Sequence, residues 1–474
     1  MTHANAPDRV LSTLNADGSR RWLRPKLSPG AFWHKRRVVA YLLMFVFFII
    51  PYVPINGKPA ILLDLPRREF TIFGTTFLPT DTLLFMLLAV STLIGIFLLT
   101  ALFGRVWCGW GCPQTVYMEF LFRPLERLIE GGRSGTLALD RQKGFKPRRL
   151  LKYVVFFLLA LFLAHTFLAY FVGIDRLVEW VQLSPFEHPT AFFIMAGTTA
   201  AIMFDFTYFR EQTCLVACPY GRLQSVLLDR KSLIVGYDTG RGEPRAKGAK
   251  RPEGVGDCID CNACVLTCPT GIDIRDGLQM ECIHCTQCAD ACDEIMDKVG
   301  KPRGLIRYTS RDEIDGVPKK FLRPRVVLYP LALTLSVGAF LFFLGTKQDT
   351  DVTLLRGIGA PYSIQPDGRV QNQVRVRVTN RGADTRAYRI EVTGAAGAQV
   401  IAPENPLVVA PGELRTTSLF VIGARDLFRN GRLDVVFRLT DGKGFDQTYP
   451  YDLVGPRPGD APADSPAPPA GGTR

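Results

Sequence analysis

The sequence predicts an α-helical membrane protein of five spanning helices, a cysteine-rich unit on one side of the bilayer and an all-β domain at the C-terminus. Five stretches are apolar over the roughly 20 residues a helix needs to cross a ~30 Å hydrocarbon core. All twelve cysteines fall in short, evenly spaced groups between positions 108 and 292. Beyond the last apolar stretch, runs such as VRVRV (374–378) and LDVVFRL (433–439) have the period of strands.

Composition agrees with a membrane class. Of 474 residues, 47% are hydrophobic, and the mean hydropathy is positive. The formal charge of +13 would also suit nucleic acid. However, the Lys and Arg residues sit beside the apolar runs and form no continuous basic face, so no nucleic-acid partner is expected.

The apolar stretches are 38–56, 82–104, 151–173, 190–209 and 325–345. The arm 1–37 is polar, holds eight Lys or Arg, and lacks the apolar core and small-residue cleavage site of a secretory signal. Segment 105–152 carries ten Lys or Arg, against three in 57–80 and one in 174–189. By the bias of basic loops toward the cytoplasm, the arm and 105–152 belong inside. Five spans then place 210–324 in the cytoplasm and 346–474 on the opposite side. Residues 240–256 are rich in Gly, Pro and charge, and read as a mobile linker. Residues 350–455, with turn signals at Asp367–Gly368, Pro411–Gly412 and Asp441–Gly442, suggest an immunoglobulin-like β-sandwich. The tail 456–474 is too Pro- and Gly-rich to fold.

The unit 257–310 carries the strongest motif. Cys258, Cys261, Cys264, Cys268 and Pro269 form CxxCxxCxxxCP, and Cys282, Cys285, Cys288 and Cys292 repeat the spacing. In two-cluster ferredoxins the fourth cysteine of each run serves the other cluster. The expected ligand sets are therefore Cys258, Cys261, Cys264 and Cys292 for one [4Fe–4S] cluster, and Cys268, Cys282, Cys285 and Cys288 for the second. Zinc also takes four thiolates, but from CxxC pairs across a longer loop. Asp293 stands where ferredoxins usually place proline. His284, between two of these cysteines, reads as a neighbour that tunes or borders a cluster.

A weaker motif is duplicated. The second and fourth spans each end at an arginine (Arg105, Arg210), followed by CxxxCP at 108–113 and 214–219 and by a segment (QTVYMEFLFRPLERLIE, YGRLQSVLLDR) expected to lie at the membrane interface. If the two spans pack together, Cys108, Cys112, Cys214 and Cys218 converge as a candidate copper or redox site. Soft thiolates suit Cu(I), zinc or an iron–sulfur cluster, two pairs could cycle between dithiol and disulfide, and free cysteine is also a common buried residue. His165 is the only histidine inside a span, which counts against a haem held by two histidines. Asp205 is placed to pair with Arg210. Trp107, Trp110, Tyr208 and Trp180 read as an interfacial aromatic belt.

The strings DLPRREFTIFG, WCGWGCPQTVYMEF, FREQTCLVACPYGRLQSVLLDR, VGYDTGRGEPR, GDCIDCNACVLTCPTGIDIR and LQMECIHCTQCADACDEIMDKVGKPRGLIRYTS, spread over about residues 35–455, resemble the cytochrome c oxidase accessory protein family called CcoG, RdxA or FixG. Asp293 is in keeping with that family. The resemblance implies a polyferredoxin of the bacterial inner membrane, with the N-terminus and two-cluster unit cytoplasmic and the β-domain periplasmic. It also implies reduction of Cu(II) to Cu(I) for assembly of a cbb3-type oxidase, with Cys108, Cys112, Cys214 and Cys218 as copper ligands. The implied partners are copper, the oxidase assembly machinery or a copper transporter, and a cytoplasmic electron donor. Oligomeric state is left open, a dimer being one option. Two other functions fit the same residues: a general conduit from a cytoplasmic or quinol donor to another membrane redox enzyme, and an assembly scaffold with structural clusters.

Overall fold

The structure is a computed structural model of the chain. It describes residues 11–457 apart from 16, 56–57, 67, 78–80, 248–251, 319–322, 347–348 and 383. The chain forms two compact units, 1–344 and 345–474. From residue 458 onward the expected disordered tail lies outside the described residues.

In the first unit the principal helices are α1 (Ala31–Ile49), α2 (Thr82–Phe103), α3 (Pro147–Val172), α4 (Ile174–Gln182), α5 (Pro189–Phe204), α6 (Gln287–Lys298) and α7 (Pro324–Gly345). Among the described residues four helices are long and apolar enough to cross a membrane: α2, α3, α5 with its continuation to Phe209, and α7. No residue of α7 is buried. Its exposed Leu335 and Phe342 are at rest only in a lipid environment.

The expected first span, 38–56, is displaced. Helix α1 starts at Ala31, carries Lys35, Arg36 and Arg37 in its first two turns, and gives way after Ile49 to a 3-10 turn containing Pro51. Its start is fixed from a distance. The Asp290 carboxylate of α6 accepts the N–H groups of Phe32 (3.0 Å) and Trp33 (2.7 Å), satisfying the orphan donors of a helix N-terminus. At the other end the Tyr170 hydroxyl of α3 donates to Phe47 O at 2.6 Å, tying the end of α1 to the end of α3.

A second departure concerns the segment expected at the membrane interface. It is helical over Pro113–Tyr117, Met118–Phe122 and Arg123–Glu130, the middle stretch as a π-turn. Met118 and Phe122 pack with Phe156 and Phe206, while Glu119, Arg123, Glu126 and Glu130 are equally buried. The segment is thus enclosed on both faces. Its charges are met inside the protein: Arg210 holds Glu126 with two hydrogen bonds (3.0 and 2.8 Å), and Lys152 of α3 reaches Glu126 (3.2 Å) and Glu130 (2.6 Å). Arg123 pairs with Glu119 and with Glu211 at 3.5 Å.

The cysteine-rich unit is part of the same body. The described ends of the supposed linker are pinned: Asp257 N–H donates to Arg241 O (2.9 Å), Gly256 N–H to Pro244 O (2.9 Å), and Arg241 pairs with Asp257 (2.6 Å). The N-terminal arm folds over the unit, with Lys26 N–H on Leu266 O (2.9 Å) and the Ser12 hydroxyl on Thr270 O (2.7 Å).

The second unit packs two antiparallel sheets. One runs in the order Gln399–Ile401, Leu414–Gly423, Val370–Asn380, Thr350–Arg356, and the other Leu407–Val409, Arg386–Thr393, Arg432–Thr440, Asp446–Val454. Alternate residues Val374, Val376 and Val378 face Tyr388, Leu419, Phe437 and Leu439 in the core, the two-residue period expected of a sandwich.

Replacing Glu126 with Ala leaves Arg210 and Lys152 buried without their counter-charge. Such a loss costs about 3–5 kcal/mol. The expected result is a marked fall in the unfolding temperature of the detergent-purified protein and in its accumulation in membranes, measured beside the parent chain.

Candidate metal centre

The two CxxCxxC loops adopt one conformation. Asp260 and Asn262 in the first, and His284 and Thr286 in the second, have φ of 51°, 57°, 54° and 57°. These left-handed residues turn the backbone around a centre, so that successive N–H groups face inward. For a β-branched residue such as Thr286 this conformation is costly, and it persists only where the surroundings enforce it.

The eight cysteines lie close together, and Cys264 stands in electrostatic contact with Cys288 as well as with Cys292. Cys292 faces Cys258, Cys261 and Cys264. Cys268 faces Cys282, Cys285 and Cys288. The fourth cysteine of each motif thus stands near the first three of the other. Cys264, Cys268, Cys282, Cys285 and Cys288 line one cavity with Ile272 and Ile274. Burial pushes the thiols of Cys264, Cys282 and Cys292 up to about 12, so ionised sulfur there requires a cation to offset its charge.

Four unpaired donor nitrogens test the fit of an anionic group. Two guanidinium nitrogens of Arg36, Arg105 Nε and His284 Nε2 are buried without a hydrogen-bond partner in the protein. Arg36 stands in electrostatic contact with Cys285, and Arg105 with Cys282. An iron–sulfur cluster ligated by four thiolates is such an anion, and the residues present suit it.

The two CxxxCP segments repeat at the backbone level. Gly104 and Arg210, each four residues before the first cysteine, share an unusual conformation (φ 58°, ψ −127° and φ 53°, ψ −119°). A helical turn follows, then Cys112 and Cys218 in extended geometry, each followed by a proline that opens the next helix. At Gly104 a side chain would overlap Leu233 O, which makes glycine obligatory. The four thiols lie within electrostatic contact of one another, so the expected convergence occurs. Cys108 donates to Gln224 Oε1 at 3.1 Å.

The cluster loop rests directly on the first CxxxCP segment. Arg105 N–H donates to His284 Nδ1 (3.1 Å), and its guanidinium donates to Cys282 O (3.1 Å) and to Gly221 O (2.6 Å) just after the second segment. A methyl group on Gly109 would stand 2.7 Å from Ile283 O and 2.8 Å from His284 O. Trp110 Nε1 donates to the Tyr308 hydroxyl (2.8 Å), which donates to His284 O (3.0 Å). Trp110 therefore belongs to this junction and not to an aromatic belt. Gln287 Nε2 donates to Glu119 at 3.1 Å, linking α6 to the buried ion network.

Other candidates fall elsewhere. Asp205 does not pair with Arg210. Its carboxylate accepts from Gln114 (3.2 Å) and the Thr213 hydroxyl. Tyr208 packs against Trp22. His165 donates through Nδ1 to Leu161 O (2.8 Å) and lines a cavity of about 280 Å³ with Trp180 and His188, apart from the cysteines. Arg36, Asp290, Gly109 and Tyr308 carry the junction without any sequence motif.

Residues 209–311 match the 4Fe-4S dicluster domain family, 85–131 a 4Fe-4S binding domain family, and 340–456 the family described as the IG-like fold at the C-terminal of FixG. Protein RdxB of Cereibacter sphaeroides is 36% identical over 446 residues, covering 89% of this chain and 92% of its own length. Protein RdxA of the same organism is 35% identical over 393 residues, covering 79% and 82%. Nitrogen fixation protein FixG of Rhizobium meliloti is 32% identical over 421 residues, covering 79% and 80%.

Two predictions follow from the packing. Gly109→Ala pushes apart two rigid backbones and should lower stability by about 1–3 kcal/mol, with faster hydrogen exchange at 282–285. Gly95→Ala, where nothing lies within 4 Å, should be neutral. Burial raises the Cys108 thiol to about 12, the Cys112 charge adds to the rise, and Arg105 opposes it. In metal-free protein Cys108 is therefore a thiol at pH 8.5, where an exposed cysteine is half ionised. Its alkylation, followed by mass spectrometry, should stay slow there and accelerate only several pH units higher.

Proposed function

Because the chain belongs to the family of RdxA, RdxB and FixG, membrane iron–sulfur electron-transfer proteins, we propose that it passes single electrons from its two-cluster unit to copper held by Cys108, Cys112, Cys214 and Cys218. One electron converts Cu(II) to Cu(I), the product destined for a cbb3-type oxidase under assembly. The observation that carries this reading is the direct seating of the 282–285 loop on Gly109 and Arg105.

In this reading Cys258, Cys261, Cys264 and Cys292 hold one [4Fe–4S] cluster and Cys268, Cys282, Cys285 and Cys288 the other; bound there, the clusters supply one-electron chemistry. The chain's own residues do the rest. Left-handed turns set the cysteines around each centre, the N-terminal arm covers the unit at Leu266 and Thr270, and Arg105 fixes the gap between cluster loop and thiol quartet. Thiolates prefer Cu(I), so the quartet favours the reduced ion over the oxidised one. The basic arm and 105–152 support a cytoplasmic position for the cysteine end of the bundle, with α1 as a fifth span.

A second reading of the quartet is favoured by the 4Fe-4S binding domain match over 85–131: the four cysteines hold a third cluster. Iron analysis of anaerobically purified protein separates the two, with about 8 irons per chain for two clusters and about 12 for three. With two clusters, changing all four quartet cysteines to Ser should keep the EPR signals of the reduced protein and abolish its stoichiometric reduction of added Cu(II). Undiminished copper reduction in that variant would sink the copper reading.

A further inference from the structure

We propose that Arg36 and Arg105, with His284, form a cationic, hydrogen-bond-donating shell that gives the inner cluster the higher reduction potential, so that electrons entering at the Cys261 edge run downhill toward the CxxxCP quartet. This rests on the iron–sulfur reading above. It adds direction, the entry point and the residues responsible.

The two sets differ in what surrounds them. The inner set, Cys268, Cys282, Cys285 and Cys288, meets two arginines. Arg36 is wholly buried. It donates through Nε to Gly109 O (2.8 Å), and both terminal nitrogens remain without a partner while facing Cys285. Arg105 faces Cys282. His284, held by Arg105 N–H at Nδ1 (3.1 Å), must carry its proton on Nε2, which is also unpartnered. The carboxylates close to these arginines are Asp290 beside Arg36, its oxygens engaged by the first N–H groups of α1, and Glu281 beside Arg105, which accepts from Ser12 N–H at 3.3 Å.

The outer set, Cys258, Cys261, Cys264 and Cys292, meets the reverse. Its nearest cation, Arg275, is spent on Asp260 (2.7 Å), Asp273 (2.6 Å) and Asn262 (2.6 Å). Asp273 faces Cys264, and Asp293 faces Cys292. Cys261 is the one exposed cysteine of the twelve, which makes this edge the place where a soluble one-electron carrier can approach.

Reduction adds one negative charge to a cluster. Nearby cations and donors stabilise that form, and carboxylates oppose it. Burial alone would lower the inner potential, but in a dry site two arginine charges act unscreened, whereas at the outer edge water weakens every charge. Each transfer oxidises the outer cluster by one electron and reduces the inner one by one. The donor at Cys261 supplies the electron, and the quartet receives it.

The test is an EPR-monitored redox titration of the full-length protein in detergent. Arg36→Gln should lower the midpoint of the higher-potential signal by about 60 mV, a tenfold change in its reduced-to-oxidised ratio at fixed potential, and leave the lower one in place. Asp293→Asn, a change near the surface, should raise the lower midpoint alone and serves if Arg36→Gln fails to accumulate. The proposal is overturned if Arg36→Gln moves neither signal, or if Asp293→Asn moves the higher one. Absence of cluster signals in the parent protein would instead refute the iron–sulfur reading beneath it.

Discussion

The first unit is organised around a carboxylate that cannot reach water. Burial alone would raise the Glu126 carboxyl, but the charge and paired hydrogen bonds of Arg210, with Lys152, hold it well below the usual carboxylate range. Glu126 belongs to the segment behind the first CxxxCP motif, Arg210 opens the second, and Lys152 starts α3. One ionic junction thus fixes three chain segments at a single point. A buried ion pair seldom adds net stability over apolar packing. What it supplies is register, because sliding any of the three segments by one residue would strand a charge in a dry interior.

That junction also explains why the duplicated halves are unequal. Gly104 and Arg210 occupy the same strained backbone position, yet only the glycine allows Leu233 to pack close. On the first half, Arg105 turns to the cluster loop and Gly109 admits it. On the second, Arg210 turns to Glu126. The duplication brought four thiols together, and divergence of the flanking residues made one half a seat for the cysteine unit and the other an anchor to the bundle.

Much of this was legible in the sequence. The cysteine spacing announced the 4Fe-4S dicluster domain, apolar length gave α2, α3, α5 and α7, and alternating valines gave the sandwich. The failures share a cause. Asp290 caps α1 across more than 250 positions, so no local rule could start that helix at Ala31. The amphipathic pattern of 113–130 signals one apolar and one polar face, but not whether the polar face meets headgroups or buried partners, and Glu119, Glu126 and Glu130 meet partners. Gly, Pro and charge in 240–256 read as a linker; its described ends are held together by Arg241 and Asp257. Trp110 looked like a belt residue because its partner, Tyr308, lies nearly 200 positions away.

These long-range contacts change the physical character of the protein. A cysteine unit on a flexible tether would meet the thiol quartet by diffusion, at varying distance, and would expose both clusters to water and oxidants in between. Here Arg105, Gly109, Trp110 and Gln287 hold one cluster loop against the membrane segment, and the N-terminal arm closes over the other side. Electron transfer falls steeply with distance, so a fixed, close junction sets one path and excludes others. The orphaned donors of Arg36 and His284 are the cost of that closure in the bare chain, and a bound anionic cluster would satisfy them. The packing around these donors and the cluster they suit are therefore parts of the same arrangement.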